Sequence, residues 1–370
     1  MSAETPDADT YALRSGAVAE IAAPDLPYRP PMPRDYSPRI ALIGAGGIAG
    51  AHLDAYRAAG WTVAAICNRT LSKAEDRARE FFPDAMVTDD VDRILADTEI
   101  DVVDITPHPA DRVPIIEAAI EAGKHVLSQK PFVLDLDTGA RLADLAQQRG
   151  VKLAVNQNGR WAPHMAWMRE AVGRGLIGEL ISVHVSVHWD HGWVRGTPFD
   201  EIDDLILYDF AIHWFDFLAS LAGNKIETVY AMSVRAAGQG AKAPLLAEAL
   251  VRMEGGQASL VFDGAASFGP RDTTYISGTA GSLRSAGPDL GSQTVTLDTA
   301  QGRARPSLEG TWFNDGFRGA MGELLCSIEE DREPLNGARA NLDSLALAFA
   351  AIASARERRE IAVGEVRRLP

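Results

Sequence analysis

The run R-I-A-L-I-G-A-G-G-I-A-G-A-H, from Arg39 to His52, constrains the fold of this chain more than any other stretch. Ile40 to Ile43 are uniformly apolar, the pattern of a strand buried on both faces of a parallel sheet. Gly44 and Gly46 follow at once, and Ala49 completes a G-x-G-x-x-A spacing. Gly44 suits the tight turn out of the strand, Gly46 a close approach of backbone to a pyrophosphate, and Ala49 a helix packed hard on the sheet. A helix from Ile48 would turn free N–H groups toward Gly46 and Gly47, which favours phosphate. A strand–helix turn without a ligand has the same spacing. The order strand, glycines, helix, strand is what points to dinucleotide binding.

The alternation continues. Strands are expected at W-T-V-A-A-I-C-N-R, at Val102–Ile105, at His125–Ser128 and at Lys152–Val155, with helices over Ser72–Phe82, Asp111–Ala122 and Asp137–Arg149. This is the grammar of a doubly wound α/β domain, in which ligands bind beyond the carboxyl ends of the strands. Asn68-Arg69, the stiff Thr106-Pro107-His108-Pro109 loop and Gln129-Lys130 all fall at those ends. After Asn156 the pattern changes to a helix near His164–Gly173, a long alternating strand I-S-V-H-V-S-V-H-W-D, a helix over Ile206–Leu221 and then strands in series. These are Thr228–Val234, Leu246–Met253, Ala258–Asp263 and Thr274–Gly278, and they predict a mostly antiparallel sheet covered by helices, the last over Leu342–Arg356. The expected organisation is an arm over 1–38, a Rossmann domain over 39–157 and a substrate-binding and oligomerisation α/β domain over 158–370. Six prolines between Pro24 and Pro38 disfavour regular helix or sheet in the second half of the arm. It is either a disordered tail or an extended segment anchored by Leu26, Tyr28, Met32 and Tyr36.

A formal charge of −15 argues against nucleic acid or an anionic membrane as partner. No apolar run reaches spanning length, and the N-terminus lacks the blocks of a signal peptide. The two distant cysteines, Cys67 and Cys326, fit buried thiols in a reducing compartment. The expected location is the cytoplasm.

At Asn68 the ribose-binding carboxylate of an NAD site is missing, and Arg69 follows. NAD and NADP both remain open, with a tilt toward NADP because Arg69 could pair with a 2′-phosphate. Lys130, pinned by Pro131 at the cleft, is a candidate for proton exchange with an alcohol or carbonyl. Asp209 and His213, four apart in Y-D-F-A-I-H-W-F-D-F, would share a helix face as a carboxylate–imidazole unit. His184, His188 and His191 do not read as a metal site. The first two are about 13 Å apart along a strand and the third has opposite parity. Trp189, His191 and Trp193 read instead as an aromatic wall for the C–H faces of a sugar, with plain core packing as the alternative.

With glycine loop, Lys-Pro step and Asp-x-x-x-His helix in that order, the chain resembles the glucose–fructose oxidoreductase, inositol dehydrogenase and rhizopine-catabolism family over about Arg39 to Val363. The resemblance implies a hydride transfer between NAD(P) and a hydroxyl or ketone of a sugar, glycoside or cyclitol, in a homo-oligomer (dimer or tetramer) whose contacts use the open sheet. It implies Lys130, Asp209 and His213 as catalytic residues, with Asp209 orienting His213. Gly44, Gly46, Gly47, Ile48, Ala49, Asn68, Arg69, Thr106, Pro107, His108, Gln129, Lys130 and Asn158 would contact the cofactor. Arg160, Trp161, Trp189, His191 and Trp193 would border the substrate beside the catalytic three. Two departures stand out. The family's E-K-P glutamate is Gln129, and Asp203-Asp204-Leu205-Ile206-Leu207 replaces glycines before the helical aspartate, which would reshape the substrate pocket. An NAD-assisted glycosidase and a cofactor-sensing regulator are the rival functions on this scaffold.

Overall fold

The computed structural model describes residues 16 and 18–369. The first half runs β1 (Glu20–Ile21), β2 (Arg39–Ile43), α1 (Ala49–Ala59), β3 (Thr62–Cys67), α2 (Leu71–Phe81), β4 (Met86–Thr88), α3 (Val91–Ala96), β5 (Val102–Ile105), α4 (Pro109–Glu121), β6 (His125–Ser128), α5 (Leu136–Arg149) and β7 (Leu153–Val155). Strands β4-β3-β2-β5-β6-β7 form one parallel sheet. The order reverses at β2, so its carboxyl end and that of β5 open a crevice at the switch point. The apolar run Ile40–Ile43 of β2 and all four residues of β5, Asp104 among them, are buried. Helix α4 begins at Pro109 rather than Asp111: proline at the first helical position gives up no hydrogen bond, so it opens the helix instead of blocking it.

The second half runs α6 (Pro163–Gly173), β8 (Leu180–His188), α7 (Ile212–Ala222), β9 (Ile226–Val234), β10 (Leu246–Met253), β11 (Gly256–Asp263), β12 (Arg271–Gly278), β13 (Gly281–Asp289), β14 (Ser292–Thr299), β15 (Gly302–Ala304), α8 (Trp312–Glu329), α9 (Ala338–Glu357) and β16 (Ile361–Ala362). Its ten-stranded sheet, β1-β15-β14-β13-β12-β8-β11-β10-β9-β16, is antiparallel except where β1 meets β15 and β8 meets β11. Residues of β10 alternate inward and outward, and the inward Ala247, Ala249 and Val251 are buried in the core shared with alanine-rich α9.

Two further expectations change. The single helix expected over Ile206–Leu221 is a π-helical turn, Ile206–Phe210, followed by α7, and the Ala211 N–H donates five residues back to Ile206 O at 2.7 Å. Helix α8 has no counterpart in the sequence reading. Its Phe317, Met321, Leu324 and Leu325 share a core with Ile40, Leu42, Leu53 and Tyr56, so the far half of the chain returns to cover the Rossmann sheet. Three glycines on one face of α8 allow the close approach. A Cβ at Gly316, Gly319 or Gly322 would lie 2.6 Å from the Asn158 carbonyl, 2.2 Å from Trp161 Cγ or 2.1 Å from the Pro31 carbonyl.

The described part of the arm packs on its own chain. Leu26 is buried, Tyr28 Oη accepts the Glu309 N–H at 2.9 Å, and the Glu329 carboxylate accepts the N–H groups of Arg34, Asp35 and Tyr36 at 2.9, 2.7 and 2.8 Å. Residues 1–15 of the expected arm lie outside the described residues.

Candidate active site

At the crevice Gly44 adopts φ +104°, and a Cβ there would lie 2.5 Å from Thr106 Oγ1 and 2.9 Å from Pro107 Cδ. Only glycine fits between the two loops. Thr106 Oγ1 donates to Gly44 O at 2.7 Å, and the buried Arg112 donates through Nε to Pro107 O at 2.7 Å, so the loops at the ends of β2 and β5 are fastened together. Burial brings the Arg112 guanidinium down to about 10. Beyond Gly44 the surface opens: a Cβ at Gly46 or Gly47 would meet nothing within 4 Å. The loop and the start of α1 therefore present accessible backbone where a pyrophosphate fits.

Asn68 follows β3 and reaches back to the glycine loop. Its Oδ1 accepts the Ala45 N–H at 2.9 Å and its Nδ2 donates to Thr70 O at 2.9 Å, so the side chain latches the glycine loop. Arg69, next in the chain, has a 91% exposed side chain whose nearest carboxylate is Asp111 at 3.6 Å. It remains available to a charged ligand.

Beneath the crevice lies a buried polar network. His52 Nδ1 is 2.6 Å from Asp104 Oδ2, which also accepts the Tyr56 hydroxyl at 2.6 Å. Gln129 Oε1 accepts the Lys130 backbone N–H at 2.7 Å, which turns its amide nitrogen toward His52 Nε2 at 2.9 Å. Since Gln129 Nε2 can only donate, His52 Nε2 accepts and Nδ1 carries the proton to Asp104. A glutamine therefore suits a neutral His52, and Gln129 is 6% exposed with its side chain turned into the interior. It supports Lys130 through the backbone.

The Lys130 ammonium reaches across to the second half, donating to Asp209 O at 2.9 Å and Asp209 Oδ1 at 3.1 Å. The π-helical turn presents both oxygens of Asp209 to it. Asp209 is thus the partner of Lys130 and makes no hydrogen bond to His213, contrary to the expected Asp209–His213 unit. The His213 Nδ1 is buried with no protein partner among the described residues, over Gly159, whose Cβ would lie 3.5 Å away. Burial, reinforced by the Lys130 charge, holds the imidazole well below the usual histidine range, so it is neutral at pH 7.

These groups share one cavity of about 330 Å³. Ile48, Thr106, His108, Gln129, Lys130 and Asn158 line it from the Rossmann side. Opposite stand Trp189, His191 and Trp193 after β8, Phe199 and Ile202 in the following loop, Tyr208 to Phe210 on the π turn, His213 on α7, and Trp312, Phe313 and Phe317 on α8. The rings are linked edge to face: His191 to Phe210 at 4.2 Å, Trp193 to Phe199 at 5.6 Å and His213 to Trp312 at 5.3 Å. Burial pushes His191 down to about 4. His184 and His188, on the other face of β8, are engaged with Ser259 at 2.7 Å and Ser186 at 2.8 Å.

Two expected substrate contacts do not reach the cavity. The Arg160 guanidinium is held in two bonds by Asp216, at 2.6 and 2.9 Å, and Trp161 is buried against Gly319 of α8. Only Asn158 of that run faces inward. The segment Asp203–Leu207 also stays outside the lining, because Leu205 to Leu207 turn into the core and Asp204 pairs with Arg356, leaving Ile202 and Tyr208 at its ends to shape the cavity. The α8 residues Trp312, Phe313 and Phe317 went unread. Their signal was an aromatic W-F-x-x-x-F spacing on one helical face, hidden by the glycines between and after them.

The two halves match two parts of one family in chain order. Residues 38–157 match the oxidoreductase family with an NAD-binding Rossmann fold, and residues 165–284 match the GFO/IDH/MocA C-terminal domain. The chain belongs to the Gfo/Idh/MocA family of oxidoreductases. Its Rossmann half is accordingly an NAD(P)-binding unit, and the crevice described above fits that cofactor. Among Gfo/Idh/MocA relatives, an inositol 2-dehydrogenase of Rhizobium meliloti is 26% identical over 88% of this chain and 99% of its own. A D-apiose dehydrogenase of Paraburkholderia graminis is 27% identical over 87% of this chain and 88% of its own. A levoglucosan dehydrogenase solved with NADH and levoglucosan shares the fold with a TM-score of 0.75 at 21% identity, over 89% of this chain and all of that one.

Proposed function

We propose that this protein is a sugar, glycoside or cyclitol dehydrogenase or reductase, moving a hydride between NAD(P) and a hydroxyl or ketone carbon. The observation that carries the reading is the meeting of Lys130 and His213 in one cavity at the switch point, one from each half of the chain. When bound, the nicotinamide supplies or takes the hydride. The chain's own residues handle the proton. His213, neutral because it is buried beside an ammonium, accepts the hydroxyl proton during oxidation and returns it during reduction. Lys130, oriented by Asp209, donates a hydrogen bond to the same substrate oxygen and stabilises the charge that gathers on it. Thr106, His108 and Ile48 line the cavity with Lys130 and would hold the nicotinamide ring. Exposed Arg69, with no carboxylate at Asn68, supports NADP over NAD.

The reading includes a cytoplasmic homo-oligomer. Cys67 and Cys326 are buried and unpaired, which suits a reducing compartment. Tyr230 and its cross-strand partner Leu250 stand exposed on the outer face of the ten-stranded sheet, with exposed Tyr275 beyond Ser259 and His184 in the same row, a face suited to a second copy of the chain. A screen of sugars, glycosides and inositols with NAD and NADP, followed at the nicotinamide absorbance, tests the function. Cofactor-dependent turnover of a polyol supports it. Release of free sugar without net cofactor change would replace it with the glycosidase reading, and absence of cofactor binding would remove it.

A further inference from the structure

The cavity lining is mostly apolar. Lys130, Asp209, His213 and Asn158 bring polar groups to it, and Trp189, Trp193, Phe199, Ile202, Leu290 and Phe313 offer apolar surface, with His191 beside the two tryptophans. A free sugar or cyclitol carries a hydroxyl on nearly every carbon, and hydroxyls pressed against this surface would lose their partners in water. Several of these side chains are also left uncovered by the fold: Trp193 is 57% exposed, Phe313 58% and Trp189 37%, whereas Trp214 and Trp312 behind them are buried. Trp193 is nonetheless held in place, with Phe199 edge-on at 5.6 Å and 70° and His191 at 6.0 Å. Braced, exposed rings at the mouth of a site are flat platforms for another flat apolar group.

Resting on the dehydrogenase reading, we propose that the substrate is a glycoside with a flat apolar aglycone, its sugar at Lys130 and His213 and its aglycone on Trp189, Trp193 and Phe313. The specificity lies in these rings, and the chemistry in Lys130 and His213.

The test is isothermal titration of the full chain, with NADH or NADPH present, against matched methyl and phenyl β-glycosides of glucose, galactose and xylose, and against phenol alone. For the sugar that binds, the phenyl glycoside should bind about tenfold tighter than the methyl glycoside, the size of one good ring contact. Trp193→Ala and Phe313→Ala should each reduce that ratio several-fold. Both rings are more than half exposed, so their removal spares the core. Equal affinity for methyl and phenyl glycosides overturns the aglycone site and leaves the dehydrogenase reading standing. So does phenol binding as tightly as the phenyl glycoside, or a ratio that neither variant changes. No binding by any glycoside overturns the aglycone site, and no binding of NADH or NADPH in the same cell overturns both.

Discussion

The two sides of the cavity are held in opposite ways. On the Rossmann side His52, Asp104, Tyr56, Gln129 and Asn156 form one buried hydrogen-bonded network, and Thr106 and Arg112 fasten its loops. On the sheet side rings pack edge to face, and no such network joins them. Buried atoms without a hydrogen-bond partner among the described residues occur on both sides, Asp104 Oδ1 and Asn156 Oδ1 on one, His191 Nδ1 and Trp312 Nε1 on the other, and both oxygens of Asp272 on β12 are in the same state. A network of directed bonds fixes a cofactor of constant shape. Aromatic packing tolerates changes of side chain, and is the side on which substrate choice can drift without disturbing the cofactor.

The contrast can be attacked first at the two residues that meet across it. Lys130→Ala and His213→Ala should each lower turnover by about 10²–10⁴, with unchanged circular dichroism. Because His213 stays neutral well below the ordinary histidine range, kcat/KM for oxidation should lose no His213-linked activity between pH 8 and pH 6.5. An acid limb centred near 6.5 would contradict the assignment.

Asp272 probes the sheet. Burial raises its carboxyl to about 7, so the native chain keeps a proton that the unfolded chain releases from about pH 4 upward. Native stability therefore falls as pH rises through that window. Asp272→Asn should gain on the parent protein between pH 4.5 and pH 8 by up to about 4 kcal/mol in urea unfolding. A constant difference would mean that Asp272 ionises freely.

A smaller effect separates packing from propensity. Alanine is a better helix former than glycine by about 1 kcal/mol, yet Gly319→Ala should destabilise by about 1–3 kcal/mol, because the new methyl would overlap Trp161. A stabilised variant would show that α8 can move away. The smallest effect belongs to the cofactor's far end. Arg69→Ala should lower the preference for NADPH over NADH by about tenfold in fluorescence titrations, the low end for an exposed charge-assisted bond.

The Rossmann half was legible because its signals are local. The buried strand Val102–Ile105 ends where the expected one does, and the glycine loop announces its own turn. The short β4 and α3 were too brief to show a period. Strands β13 and β14 were hidden by Gly287, Pro288 and a run of small polar residues. Helix α8 was hidden by glycines that lower helix propensity and exist for contacts distant in sequence. Within the cavity, Lys130, Asp209 and His213 were each readable, but their pairing was not. Helical spacing put Asp209 beside His213, and the π turn instead gives Asp209 to Lys130. Likewise the 3₁₀ turn Asn158–Trp161 sends neighbouring side chains to three destinations, a divergence that adjacency in sequence conceals.

Helix α8 also decides where this protein can be shortened. Trp312 at its start lines the cavity, Gly322 further along receives Pro31, and Glu329 at its end gathers three N–H groups of the arm. A cut before Arg39, where the motif begins, would strip one flank of the same rod that carries Trp312 and Phe317 into the site. The minimal enzyme starts well upstream of its own signature, and its leading segment is as much a part of the active cavity's foundation as the sheet beneath it.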